Sequence, residues 1–200
     1  MNQSKDKVTR MKELCLSEAS TDPVEIAIRL MKLDVINIHG PEHHYLDGAA
    51  FLTAYRNAGG SIDLESALDI LAERSSQMPG AMCGFWGVCG SSASVGAALS
   101  IIHGTGPMSD DEFYKDNMEF TSEAIRRIGS IGGPRCCKRN AFLSLMAAAS
   151  FAKRKYGINM FVKPFACGFA DLNETCIKAR CPFYSRYQKN TGRGLLTKKK

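Results

Sequence analysis

Prolines, glycines and capping side chains cut this chain into segments of ordinary helix length, and within those segments the apolar residues recur at helical spacing. That pattern leaves little room for anything but a helical bundle. Asp22-Pro23-Val24-Glu25 supplies an N-cap, a proline at the first helical position and a glutamate at the third, ahead of Ile26, Leu30 and Leu33. Pro41 opens a second helix carrying Leu46, Ala50, Phe51 and Ala54, which Gly59-Gly60 ends. Asp63 caps a third through Leu64, Leu68 and Leu71, closing near Met78-Pro79-Gly80. A fourth, made of small residues, spans Ser91 to Ile102, where Ser94, Gly96 and Ala97 let another backbone come close. Ser109 and Glu112 read as a capping box for a fifth. After the break at Gly132-Gly133-Pro134, a sixth runs from about Arg135 to Tyr156 and stops at Gly157.

Only residues 158–162 read as a strand, and no βαβ alternation or internal repeat is present. The expected fold class is therefore all-α: a compact bundle of about six helices with a cysteine-rich C-terminal loop segment and at most one short strand. One domain is expected over residues 22–184, with 1–21 as an N-terminal extension and 185–200 as a basic flexible tail. The net charge of +6 resides in that tail: from Lys178 onward there are eight Lys/Arg and no Asp/Glu. The body carries no basic stripe with interleaved aromatics, so any contact with nucleic acid is confined to the tail. No stretch is apolar enough for a secretory signal or a membrane span, which points to a cytoplasmic chain with reduced thiols.

The eight cysteines then carry the chemistry. Cys167-x8-Cys176-x4-Cys181-Pro places three soft ligands on one short segment, enough to hold a four-iron cluster with one iron left open. Zinc is the alternative, with Cys89, Cys136 or a histidine as fourth ligand. Cys89 precedes the fourth helix and Cys136 opens the sixth, where the helix dipole favours thiolate. Either is thus a fourth ligand or a nucleophile. Cys137, in register with Ala141, Leu145 and Ala149, reads as a small core residue. Gly84, Gly87 and Gly90 around Phe85 and Trp86 would let the backbone wrap a cofactor, and Gly133 with Arg135 forms an anion-binding turn.

His39-Gly-Pro-Glu-His43-His44, with Asp47 one turn later, is the second constellation. His43 and Asp47 share a helix face at i,i+4, so His43 or His44 is the expected general base or proton carrier. No Walker loop, Rossmann fingerprint, HExxH or GxSxG motif occurs.

The segments HGPEHHYLDGAA, MCGFWGVCGSSASVGAALSII, GGPRCCKRN and the terminal CxxxxxNxxCxxxxCPFY resemble an uncharacterised family of cysteine-rich domains from anaerobic bacteria and archaea. The resemblance covers Val24 to Tyr184 and implies an association with S-adenosylmethionine-dependent methyltransferases, although this chain has no glycine-rich methyltransferase motif of its own. The expected function is an iron-sulfur or metal-thiolate enzyme acting on a small metabolite by sulfur transfer, desulfuration or lyase chemistry. The alternatives are a zinc-binding accessory module docking on a protein partner, or a metal-free cysteine-nucleophile enzyme with Cys136 working against His43 or His44.

Overall fold

A computed structural model describes residues 2–184. These described residues form eight α-helices: α1 (Asn2–Ser17), α2 (Pro23–Met31), α3 (His43–Asn57), α4 (Leu64–Ser76), α5 (Met82–Phe85), α6 (Gly90–His103), α7 (Glu112–Ile131) and α8 (Cys137–Tyr156). Two short 3-10 turns, Ala170–Leu172 and Lys178–Arg180, follow in the C-terminal segment. The all-α expectation holds, with two helices more than the sequence indicates. α1 lies where an extension was expected, yet its Met11 and Cys15 are fully buried against the bundle. The strand expected at residues 158–162 is absent; among the described residues the only pairing of that kind is an isolated bridge between Cys167 and Tyr184. The expected flexible tail, 185–200, lies outside the described residues.

The capping chemistry works largely as the sequence indicates. Asp22 accepts from Val24 N and Glu25 N at 2.9 and 3.1 Å with Pro23 as the first helical residue, and Asp63 accepts from Ser66 N. Asp111, not Ser109, caps α7, accepting from Phe113 N and Tyr114 N. The carboxylate of Asp22 does a second job: its other oxygen accepts from Lys163 N at 2.8 Å and ties the chain beyond α8 back to the start of α2. Phe165 and Phe183 stack at 5.1 Å, and both meet Phe142 of α8 edge-on. These contacts fix an irregular cysteine-bearing segment against the first half of α8.

At the centre stands α3, in which every residue from His43 to Tyr55 is buried. A helix covered on all sides is normally apolar all round. Here its first turns contribute His43, His44 and Asp47, so the bundle spends buried positions on polar groups at one end. α6 lies against α3 so closely that Gly48 N donates to Ser94 Oγ at 2.8 Å, and a Cβ on Gly48 would lie 2.8 Å from the Ser94 backbone oxygen. The small residues of α6 permit this approach, as the sequence suggests. Gly48→Val is expected to lower stability by about 3 kcal/mol, because neither backbone can retreat. Gly129→Ala on the exposed face of α7, where a Cβ would meet nothing within 4 Å, is expected to raise it by about 0.5–1 kcal/mol. Urea midpoints of the two variants check both signs.

Candidate functional site

Two compartments adjoin at the start of α8, and the Cys136-Cys137 pair separates them. Cys136 lines one pocket together with Cys167, Cys176 and Cys181; Cys137 lines a cleft of about 300 Å³ on the other side. The backbone makes the division. Cys136 is the N-cap, extended at φ −145° and ψ 105°, whereas Cys137 is the first helical residue.

The four-thiol pocket draws its members from chain positions far apart, and each sulfur faces an N–H group. Cys136 Sγ accepts from Arg139 N at 3.5 Å and from Asn173 Nδ2 at 3.6 Å. Cys167 Sγ accepts from Phe169 N at 3.5 Å and Cys176 Sγ from Lys178 N at 3.4 Å, while the Phe183 amide faces Cys181. Lys178 reaches this arrangement in left-handed backbone, φ 48°, a conformation that costs a lysine about 1–2 kcal/mol. Strain of this kind collects at functional sites.

Beside the thiols lie two buried cations, Lys138 and Arg139, and among the described residues neither pairs with a carboxylate. Arg139 donates to Gly132 O and Pro134 O, bracing the loop before α8, and its charge lowers the pKa of Cys181 against the larger upward push of burial. Burial, with added repulsion from Cys136, Cys181 and Cys176, raises Cys167 to about 11. Unliganded, Cys167 and Cys181 are therefore held as thiols, and loading a metal onto them would release their protons.

The residues that could hold a thiolate-bound metal group are these four sulfurs, with amide donors to each and buried positive charge to offset their anions. Among the described residues no three His, Cys, Asp or Glu side chains converge tightly enough for a single metal ion. A tetrahedral zinc would require sulfurs about 3.8 Å apart, from its Zn–S bond of about 2.3 Å. In a four-iron cluster each thiolate serves a different iron and the sulfurs stand farther apart. The cavity between them is about 20 Å³. A four-iron core is larger than that void, so holding one would require the C-terminal segment to shift outward from α8.

The cleft brings together five of the candidate residues, His43, His44, Cys89, Gly90 and Arg135, with Asp47 of the histidine constellation and with Cys83, Cys137 and Asn140. Gly90 is required by contact: a Cβ there would fall 2.2 Å from the His44 ring. Gly84, Gly87 and Gly133 line neither compartment, and a Cβ on any of them would meet nothing within 4 Å. The first two lie within and just after α5, next to the cleft-lining residues Met82 and Cys83. Phe85 and Trp86 there are 81% and 63% exposed and pack no turn.

Electrostatics revise the sequence-based roles. Lys138 Nζ donates to His43 Nε2 at 2.9 Å and to Asn37 O at 2.8 Å. Burial, and then that ammonium, push His43 down to about 3, so the ring stays neutral and serves as a fixed acceptor rather than a proton carrier. Asp47 is the group that titrates near neutrality: complete burial lifts it to about 7, and the Ser91 hydroxyl offsets only part of the rise. The thiols depart from expectation too. Burial outweighs the helix N-termini and raises Cys89, and it takes Cys137 to about 11. Cys137 is half-buried at the cleft wall and is not the core residue its register suggests.

Asn173 and His39 connect the compartments. Cys137 N donates to His39 Nδ1 at 3.5 Å, which leaves the ring proton on Nε2 to be donated to Asn173 Oδ1 at 3.1 Å. Asn173 Nδ2 in turn reaches Cys136 Sγ. The sequence motif contains this asparagine without marking its role. Nor does the sequence reveal Asn140, whose Nδ2 donates to Cys89 Sγ at 3.3 Å. His103 is structural: its ring stacks on Phe113 at 4.1 Å.

Residues 11–184 match a family of unknown function, DUF5714, and the chain belongs to that family. No curated protein and no solved structure matches it.

Proposed function

We propose that the chain is an iron-sulfur protein in which Cys136, Cys167, Cys176 and Cys181 hold a four-iron cluster, and that the adjoining cleft binds and transforms a small metabolite. The observation that supports it is the meeting of four cysteines from two distant parts of the chain in one pocket, each facing an N–H donor. With four protein thiolates no iron is left open, so lyase chemistry on an exposed iron gives way to redox or sulfur chemistry. When bound, the cluster would supply or accept single electrons. The residues of this chain would do the rest: Asn173 and the amides hold the thiolates, His39 links them to the cleft, and Asp47 exchanges a proton there.

A second reading, a structural zinc site in an accessory module that docks on a protein such as a methyltransferase, draws support from the small volume between the thiols. The metal-free nucleophile reading draws none, because Cys136 and the pair His43 and His44 line different compartments. Iron, zinc and acid-labile sulfide are to be measured on protein purified without oxygen. About four irons with matching sulfide is the expected result; about one zinc without sulfide would establish the second reading instead.

A further inference from the structure

Buried polar side chains almost always find hydrogen-bond partners, so a concentration of them turned into one cleft with none from the protein points to a polar binding surface. Six such atoms line this cleft: both carboxylate oxygens of Asp47, Asn140 Oδ1, Ser91 Oγ, which lies near enough to Asp47 to lower its pKa without reaching hydrogen-bond geometry, and Nδ1 of His43 and His44. Their chemistry is legible. The bond from Asn140 Nδ2 to Cys89 Sγ fixes the amide orientation and leaves its oxygen as an acceptor. Asp47, with 0% exposure, adds two more acceptors, Ser91 can act either way, and His43, whose Nε2 accepts from Lys138, contributes the one fixed N–H, at Nδ1. The cleft floor is therefore rich in acceptors and calls for a ligand head with several N–H donors.

A metal ion does not answer that call, since no three His, Cys, Asp or Glu side chains among the described residues converge on one point. An anionic head is opposed by the Asp47 carboxylate. The cleft is also lined by Arg135, which, unlike the buried Asp47, is exposed and, among the described residues, in no salt bridge. The cleft volume of about 300 Å³ suits a small molecule.

We propose that the cleft binds a small zwitterion of the α-amino acid type, its ammonium group inward on Asp47, Asn140 and Ser91 and its carboxylate outward toward Arg135. The ammonium matches the inner acceptors in number and charge, and a charge-assisted bond to a buried carboxylate is among the strongest a small ligand can make. This names the substrate class for the cleft of the reading above and rests on that cleft being a binding site, not on the identity of the metal.

The test is calorimetric titration of the full-length protein, purified without oxygen and with its iron content measured, against each of the twenty standard L-amino acids and their N-acetyl forms. At least one free amino acid is expected to bind, and acetylation of its nitrogen to weaken it by about tenfold to a hundredfold. Asp47→Asn should weaken it to a similar extent and Arg135→Gln, an exposed change that spares the fold, by about tenfold. Equal binding of free and acetylated forms, undiminished binding in Asp47→Asn, or no binding by any of the twenty would overturn the proposal. Binding to protein that holds no iron would leave the zwitterion site standing and remove the cluster; iron without binding would do the reverse.

Discussion

Protein carrying Cys136→Ala and purified without oxygen is expected to emerge colourless with little iron or sulfide, whereas Cys137→Ala stays coloured with its iron unchanged. The two side chains are neighbours in sequence, but the backbone turns from extended to helical between them. One therefore joins Cys167, Cys176 and Cys181, and the other enters the cleft. Removing Cys136 takes away one of four anionic ligands and leaves Lys138 and Arg139 buried beside a smaller negative charge, which disfavours the loaded state further. It also strips Asn173 Nδ2 and Arg139 N of their shared acceptor. Metal and sulfide analysis with the visible spectrum decides the outcome. Full cluster content in Cys136→Ala would show that the fourth ligand lies elsewhere.

Asp47→Asn is expected to make the protein more stable at alkaline pH while weakening the ligand site. The folded state raises this carboxyl from its ordinary 3.8 to about 7, chiefly through burial, so it holds the proton more tightly than the unfolded chain does. Stability is then greatest below about pH 4, declines as pH rises and reaches its floor above about pH 7. The full penalty is on the order of 4 kcal/mol. Asparagine escapes it at every pH but still buries an unpartnered amide, at a cost of about 1–3 kcal/mol. The advantage of the variant should therefore grow by roughly 2.5 kcal/mol between pH 5 and pH 8. Denaturant unfolding at the two pH values measures that difference. A gap that does not change with pH would mean that Asp47 is not held as a buried, reluctant acid. Stability sacrificed at one buried residue is common where a site must bind or react.

Much of the fold was open to reading because its signals are local. Asp22 with Pro23, Asp63 and Gly157 act within a few residues of their own positions, and each cap stands where the chain implies. α1 escaped because its charged surface offers only Met11 and Cys15, at i,i+4, as fully buried anchors. α5 escaped because its four residues, MCGF, contain a glycine and bury nothing. The site divides in the same way. Cys167, Cys176 and Cys181 announce themselves by proximity, but the chain folds back across all of α8 before Cys136 joins them, and only tertiary structure shows that. Asp47 was visible as a partner of His43, yet nothing local says that it is wholly buried. That burial exchanged the two roles: the histidine is kept neutral, and the carboxylate titrates near pH 7.

The central claim is that four thiolates share one cluster, and Mössbauer spectroscopy of protein loaded anaerobically with iron-57 and sulfide tests it most directly. The expected spectrum is that of a single four-iron cluster in which every iron is sulfur-ligated, unchanged when the twenty amino acids are added. Isolated iron-thiolate ions, or one iron of the cluster bearing a non-sulfur ligand, would contradict it.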